Sequence, residues 1–303
     1  MVRRVILDTD IGSDVDDALA LALILKSKEL RLEGVTVVHG DVDVRARIAI
    51  KIMRLAGVKG VPVAKGIRRP LLMERPIFWT GHEGEGILTD EDKSLRPSPI
   101  HAIDLLTSKI NSAKGEITLI AIGPLTNLAA SIIKSPSIVE NVKEVYIMGG
   151  VLRLFDGLAL PVKEHNISCD PEAARLLFNS GIPITMVPLD VTLKVAMNRD
   201  DLKKISAVNT PLTDALASMT DRYMKFRGRD YTWLHDPLAV AASIDQGLVK
   251  TREMRVVVET RGEETTGQTL ALPAERDKPK VKVCVDVDAE KFKNFFMERI
   301  CGT

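Results

Sequence analysis

Val5-Ile6-Leu7-Asp8-Thr9-Asp10-Ile11-Gly12-Ser13-Asp14-Val15-Asp16-Asp17-Ala18-Leu19-Ala20-Leu21 is the stretch on which the fold turns. Its first three residues form the short apolar run of a strand covered on both faces, and from Asp17 apolar residues recur at helical spacing toward residue 28. Acids, a glycine and a serine lie between, so the chain leaves a strand, turns, and enters a helix. The alternation continues outward, with strand-like runs at 32–38, 117–121, 144–148 and 184–187 and amphipathic stretches at 44–56, 125–133 and 171–179. This order predicts an α/β fold, a Rossmann-like, mostly parallel central sheet flanked by helices. All 303 residues read as one domain, 1–303, without internal repeat or low-complexity segment. Two stretches interrupt the rhythm: 68–99, rich in Gly, Pro and charge, and 202–231, which reads as a helix followed by a polar connection. Long connections of this kind serve as lids, so they predict a smaller helical and loop region covering the site. The end, 281–301, reads as a closing strand and a helix whose Phe292, Phe295 and Phe296 belong to the core.

Ligands of open α/β sheets bind beyond the carboxyl ends of strands, which is where the acids at 8–17 fall. Five carboxylates, Asp8, Asp10, Asp14, Asp16 and Asp17, share ten residues. Their mutual repulsion costs free energy unless a cation offsets it. Helix capping and the helix dipole account for two or three of them. The remainder point to a divalent metal, and an oxygen-only ligand set without His or Cys selects calcium or magnesium. A flexible, carboxylate-rich loop suits calcium's larger coordination number, although the spacing is not that of an EF-hand.

The 42 basic and 41 acidic side chains nearly cancel, leaving no broad field to attract nucleic acid or an anionic membrane. A small molecule is the expected partner. No apolar run approaches the ~20 residues needed to cross a bilayer, and the start passes from two arginines straight into a strand-like run, so a cytoplasmic location is expected. Cys169, Cys284 and Cys301 have no CxxC spacing, which argues against a zinc knuckle or a disulfide framework.

Further motifs follow the acid cluster in order: Val38-His39-Gly40-Asp41, Gly66 to Pro70, Gly81-His82-Glu83-Gly84-Glu85-Gly86, and Ile122-Gly123-Pro124-Leu125-Thr126-Asn127. Met148-Gly149-Gly150, Glu164-His165-Asn166, Asp170-Pro171-Glu172-Ala173-Ala174 and His235-Asp236-Pro237 complete the series. Over almost the whole chain this set resembles the inosine-uridine preferring nucleoside hydrolases. Asp8 to Gly12 with Asp16-Asp17-Ala18 is similar to that family's DTDPGxDDA signature, with Ile for Pro and two extra residues before the paired acids. The resemblance implies calcium-dependent hydrolysis of the N-glycosidic bond of a ribonucleoside to free base and ribose. It implies calcium on Asp10, Asp17, Asp236 and the carbonyl oxygen of Ile122, a position where the family usually has Thr; a main-chain ligand makes that difference immaterial. Asp10 is the implied general base toward the attacking water, and Asp16, Glu164 and Asn166 the implied ribose contacts, with Met148 lining the same substrate site. Asp41 replaces the family's usual Asn, which changes its hydrogen-bond polarity. A family Asn that contacts the 5'-hydroxyl has no match in Asp156-Gly157-Leu158, leaving Glu164 for that group. A homodimer or homotetramer is also implied.

Asp170 and Asp236 both precede proline, the pattern of a helix cap, and local sequence does not separate them. His235 and the resemblance assign the metal to Asp236 and the cap to Asp170. His235 and His82 titrate near neutrality and are candidates to protonate or hydrogen-bond the departing base, whereas His39 and His165 have no such support. Trp79 in the covering segment and Trp233 beside the His-Asp pair are candidates for an aromatic clamp on the base. The pair predicts a purine preference, with a pyrimidine or broad-specificity enzyme as the alternative. Two other functions fit part of the pattern. A magnesium phosphohydrolase would use Asp8 as nucleophile, but it needs a phosphate-binding lysine that no convincing motif supplies. A calcium-bound ribose-binding protein would keep the sugar contacts and need no base.

Overall fold

β1 (Arg3–Thr9) is an interior strand of the sheet, paired in parallel with β2 (Leu30–Val37) on one side and β4 (Ile117–Ala121) on the other. The computed structural model describes residues 2–79, 81–153 and 161–302; Asp156, Gly157 and Leu158 lie outside them. β3 (Val63–Lys65) extends the sheet beyond β2, while β5 (Glu144–Met148) and β6 (Ile184–Val187) extend it beyond β4, all parallel. A two-stranded ribbon, β7 (Ala196–Asn198) with β8 (Tyr231–Trp233), stands apart. β9 (Val249–Val258), β10 (Thr269–Pro273) and β11 (Val281–Val287) close the far edge, where β11 is parallel to β6 and β9 runs antiparallel to both β11 and β10. Among the described residues the order is β10-β9-β11-β6-β5-β4-β1-β2-β3. Chain direction across the sheet reverses at β1, so the crevice between the carboxyl ends of β1 and β4 is the topological switch point, where α/β sheets hold their ligands.

The parallel core follows the sequence reading, and strands 117–121, 144–148 and 184–187 have the expected bounds. At the far edge β11 and the helix after it match the expected closing strand and helix, whereas β9 and β10 were not legible as strands. The stretch at 202–231 differs from its expectation as well: it holds two helices, Arg199–Ala207 and Pro211–Phe226. Asn198 caps the first through the amides of Asp200 and Asp201, and Thr210 caps the second ahead of proline in its first turn, so each helix starts at its own stop-and-start signal. Among the described residues the covering stretch 68–99 is irregular apart from a 3-10 turn at Asp90–Ser94 and a single bridge from Ser98 to Ala64.

Helix Asp16–Lys26 is buried on every face from Asp16 to Ile24 because it lies between the sheet and two further helices, His235–Ile244 and Ala289–Cys301. Phe292 and Phe296 seal that layer. Burial of so many aliphatic side chains at roughly 25 cal/mol per Å² fixes helix Asp16–Lys26 against helix His235–Ile244. Their first turns therefore reach the switch point together, and this packing brings residues 16 and 236 into contact although they are 220 apart in the chain.

Candidate active site

Asp16, Asp17 and Asp236 are all buried, and each offers a carboxylate oxygen within 4.8 Å of the others. Val15, the residue before the first helix, gives no side-chain cap, and neither does Leu234 before the second, so the acids of these first turns are not consumed as caps. Asp236 instead donates its amide to Asp16 Oδ2 at 3.4 Å. Asp170 does act as a cap, accepting from Ala173 N at 3.0 Å and also from Thr126 Oγ1 and Leu71 N. The two Asp-Pro pairs are thus separated by geometry. Thr9 Oγ1 donates to Asp17, and Ile11 N donates to Thr9 Oγ1 at 3.1 Å, which ties the turn after β1 to the helix.

Burial, followed by the neighbouring Asp14, pushes the Asp16 carboxyl up to about 8. Asp17 and Asp236 are raised well above the ordinary range, again chiefly by burial and then by the surrounding aspartates. Three buried carboxylates gathered without an ion pair of their own among the described residues are unstable as anions. The positive ends of two helices offset part of that cost, and a hard divalent cation would offset the rest. The donor set fits a metal.

Asp10 lies beside this group, nearly buried, with Oδ2 at 3.9 Å from Arg45 Nη2 and 3.8 Å from His165 Nε2. The carbonyl oxygen of Ile122 faces the same space, where it accepts from Asn166 Nδ2 at 2.9 Å; that amide also reaches the Met148 carbonyl at 3.1 Å. Gly123 follows Ile122 because nothing larger fits: a Cβ there would sit 2.8 Å from Asp10 N and 2.9 Å from its Oδ1. Gly123→Ala is accordingly expected to push the Asp10 main chain aside, lower kcat about a hundredfold, in line with the cost of a ~1 Å misplacement, and lower the thermal midpoint as well, because the clash is with buried backbone. Steady-state kinetics beside a melting curve checks it, and unchanged kcat would show that Asp10 does not depend on this contact.

Glu164 caps the helix His165–Cys169 and accepts from the amides of Gly150, Asn166 and Ile167 at 2.8, 2.6 and 3.0 Å, while burial raises its pKa. Asp41 caps the helix Val42–Leu55 through the amides of Asp43 and Val44 and pairs with Arg68 at 3.5 Å. His235 is half-buried; burial brings its pKa down to about 4, and its Nδ1 lies 2.7 Å from Thr192 Oγ1. Trp233 stacks beside it at 5.7 Å and carries the Arg229 guanidinium on its face at 4.7 Å. His82 reaches the Ser13 carbonyl at 2.8 Å through Nε2, rests on Phe226 at 4.5 Å, and leaves its buried Nδ1 without a partner among the described residues. Next to it a cavity of about 320 Å³ is walled by Ser13, Asp14, Tyr223 and Phe226. The helix Pro211–Phe226 therefore supplies one side of the pocket. Trp79 packs on Gly40 and on Arg45, 5.1 Å from the guanidinium carbon.

Of the residues at the site, His165 was set aside by the sequence reading and Arg45 escaped it. His165 stands at Asp10, with no periodic signal to mark it. Arg45 is completely buried, and its signal was present: the buried positions of its helix are 42, 45, 46, 48, 49, 52 and 53, so a guanidinium occupies the apolar face. Asp8 is fully buried, held by Thr36 and by Asn127 Nδ2 at 2.8 Å, and burial pushes it up to about 7. Sealed from substrate, it does not serve as the nucleophile that a phosphohydrolase would need.

A carboxylate-lined crevice at the switch point, backed by a pocket of base size, is the equipment of an enzyme that cuts a glycosidic bond through a cationic transition state. The model of the inosine-uridine preferring nucleoside hydrolases matches residues 5–294, and the chain belongs to that family. It is an N-glycosyl hydrolase of ribonucleosides. The pyrimidine-specific ribonucleoside hydrolase RihA of Salmonella arizonae is 33% identical over 312 residues, covering 99% of each chain. The purine-preferring ribonucleoside hydrolase from Gardnerella vaginalis superposes with a TM-score of 0.89 at 33% identity, over 99% of this chain and 98% of that one. A plant nucleoside hydrolase, PpNRh1, matches with a TM-score of 0.86 at 29% identity over the full length of both.

Proposed function

We propose that the chain, acting as a single domain, is a calcium-dependent ribonucleoside hydrolase in which Asp10 is the general base. The convergence of buried Asp16, Asp17 and Asp236 at the carboxyl end of β1 carries this reading. Asp10, Asp17, Asp236 and the Ile122 carbonyl would hold the cation, with Asp16 close enough to share in it. Calcium bound there would balance the carboxylates, grip ribose hydroxyls and acidify the attacking water. Asp10 then takes the proton of that water as it approaches the anomeric carbon. Asp16, Asn166 and Glu164 hold the sugar, and the acids around it favour the positive charge that grows on the ring as the base departs. Met148 forms the floor beside Asn166, and Asp41 orders the rim from its capping position. His82 and His235 face the base, His235 as a neutral ring that offers an N–H hydrogen bond.

Purines are the preferred bases in this reading. The cavity beside His82, with Tyr223 and Phe226 for walls, has room for a bicyclic base; Trp79, over Arg45, and Trp233, beside His235, are not among the residues that line it. The names of the RihA relatives favour pyrimidines instead. Incubation with inosine, adenosine, uridine and cytidine in calcium, with assay of free ribose, decides the matter. Inosine or adenosine is expected to exceed both pyrimidines in kcat/KM by about tenfold, the scale on which an apolar pocket discriminates by size. The reverse order would assign the chain to pyrimidines, and no ribose from any of the four would end the proposal. We place the enzyme in the cytoplasm as a homodimer or homotetramer. Among the described residues no helix is long and apolar enough to cross a membrane.

A further inference from the structure

Arg45 is the one completely buried arginine among the described residues, and its contacts reach three segments at once: the turn after β1, the turn after β2 and the covering segment. Its Nε donates to the His39 carbonyl at 2.6 Å, one terminal nitrogen to the Ile11 carbonyl at 3.1 Å, and the other to Ser13 Oγ at 3.1 Å. The second terminal nitrogen lies 3.9 Å from Asp10 Oδ2, while Trp79 covers the guanidinium face. Around this fork the three segments are laced together. His39 Nε2 accepts from Phe78 N at 3.1 Å, Ser13 Oγ lies 3.1 Å from Glu83 Oε1, and His82 meets the Ser13 carbonyl at 2.8 Å.

An apolar side chain of similar length would fill the same space but leave the His39 and Ile11 carbonyls unpaired. What the guanidinium adds is a planar fork with fixed directions and a permanent positive charge beside Asp10. From this geometry we infer that Arg45 is a positioning residue for the hydrolysis: it holds the Asp10 carboxylate at its working angle and couples that angle to the seating of Trp79 and His82 over the base. Lysine keeps the charge and loses the fork. The loop from Asp10 to Ser13 then has two fewer fixed attachments, and the covering segment loses the aromatic-guanidinium contact.

The inference rests on the reading of Asp10 as the base, and one set of variants tests the two separately. Calcium-loaded Arg45→Lys is expected to lose about a hundredfold in kcat on inosine or uridine, whichever is the better substrate, with KM within about threefold, as befits a contact that orients rather than binds. Its calcium stoichiometry, measured by titration calorimetry, should stay that of the wild type. In an Asp10→Asn background the same Arg45→Lys change should cost less than about twofold, because a residue acting through Asp10 has nothing left to position. Arg45→Met serves as the second variant and should show the same non-additivity. The inference is overturned if Arg45→Lys keeps wild-type kcat, if its cost is undiminished in the Asp10→Asn background, or if both Arg45 variants fail to fold or to bind calcium, which would make Arg45 a scaffold element. Undiminished turnover in Asp10→Asn alone would instead strike the parent reading.

Discussion

Asp10→Asn is expected to lower turnover about a thousandfold, within the range that general-base catalysis commands, while binding of ribose or of the nucleoside persists. The amide has the shape of the carboxylate and can still lend its oxygen to a cation, but it cannot take up a proton. The site gives Asp10 suitable neighbours for proton transfer, since Arg45 and His165 face its Oδ2 and Gly123 leaves room for its Oδ1. Steady-state kinetics together with calorimetric binding of substrate checks the result. Retained binding with collapsed turnover also separates an enzyme from a ribose-binding protein, which would show the same affinity before and after and no turnover in either form. Turnover within a few-fold of wild type would remove Asp10 from the mechanism.

Treatment with a calcium chelator is expected to abolish activity, and added calcium to restore it. The same cation should stabilise the fold in a pH-dependent way whose sign follows from the buried acids. Asp16 rises from an ordinary value of 3.8 to about 8, and Asp17 and Asp236 rise as well. A carboxyl whose pKa is raised by folding favours the folded state while protonated, and that contribution is lost as pH climbs from about 4 through about 8. In chelator, therefore, the protein should lose thermal stability across this window. Calcium bound to the acids would replace the departing protons, so the rise in Tm that it produces should be larger at pH 8 than at pH 5.5. Full activity in chelator, or a calcium-induced shift that shrinks as pH rises, would count against the metal site.

The sequence carried the parallel sheet because strands buried on both faces must be continuous apolar runs, and 117–121, 144–148 and 184–187 are little else. β9 was not legible for the converse reason: residues 250–253 are exposed and polar, and half of the strand reads as a charged loop. β7 and β8 have three residues each, too few for any period. At the site, the density of acids at 8–17 was readable as chemistry because repulsion on that scale demands a cause. Which Asp-Pro held a cap was not readable, since Asp170 and Asp236 look alike until the packing of two helices shows one carboxylate on its own amides and the other facing Asp16 and Asp17. That Asp16 stands within the trio while Asp10 turns toward Arg45 follows from the path of the turn between residues 10 and 16, which no local pattern dictates. Arg45 was legible in principle, as a charge on an apolar helical stripe, and such a position is worth reading as a buried functional cation.

In the proposed mechanism, catalysis depends on distant acids gripping one cation. Calcium titration by calorimetry, on the wild type and on Asp17→Asn and Asp236→Asn, tests this most directly. One calcium per chain, with binding weakened at least about tenfold in each variant by loss of a charged ligand, is the predicted result. No binding by the wild type, or equal binding by all three proteins, would contradict it.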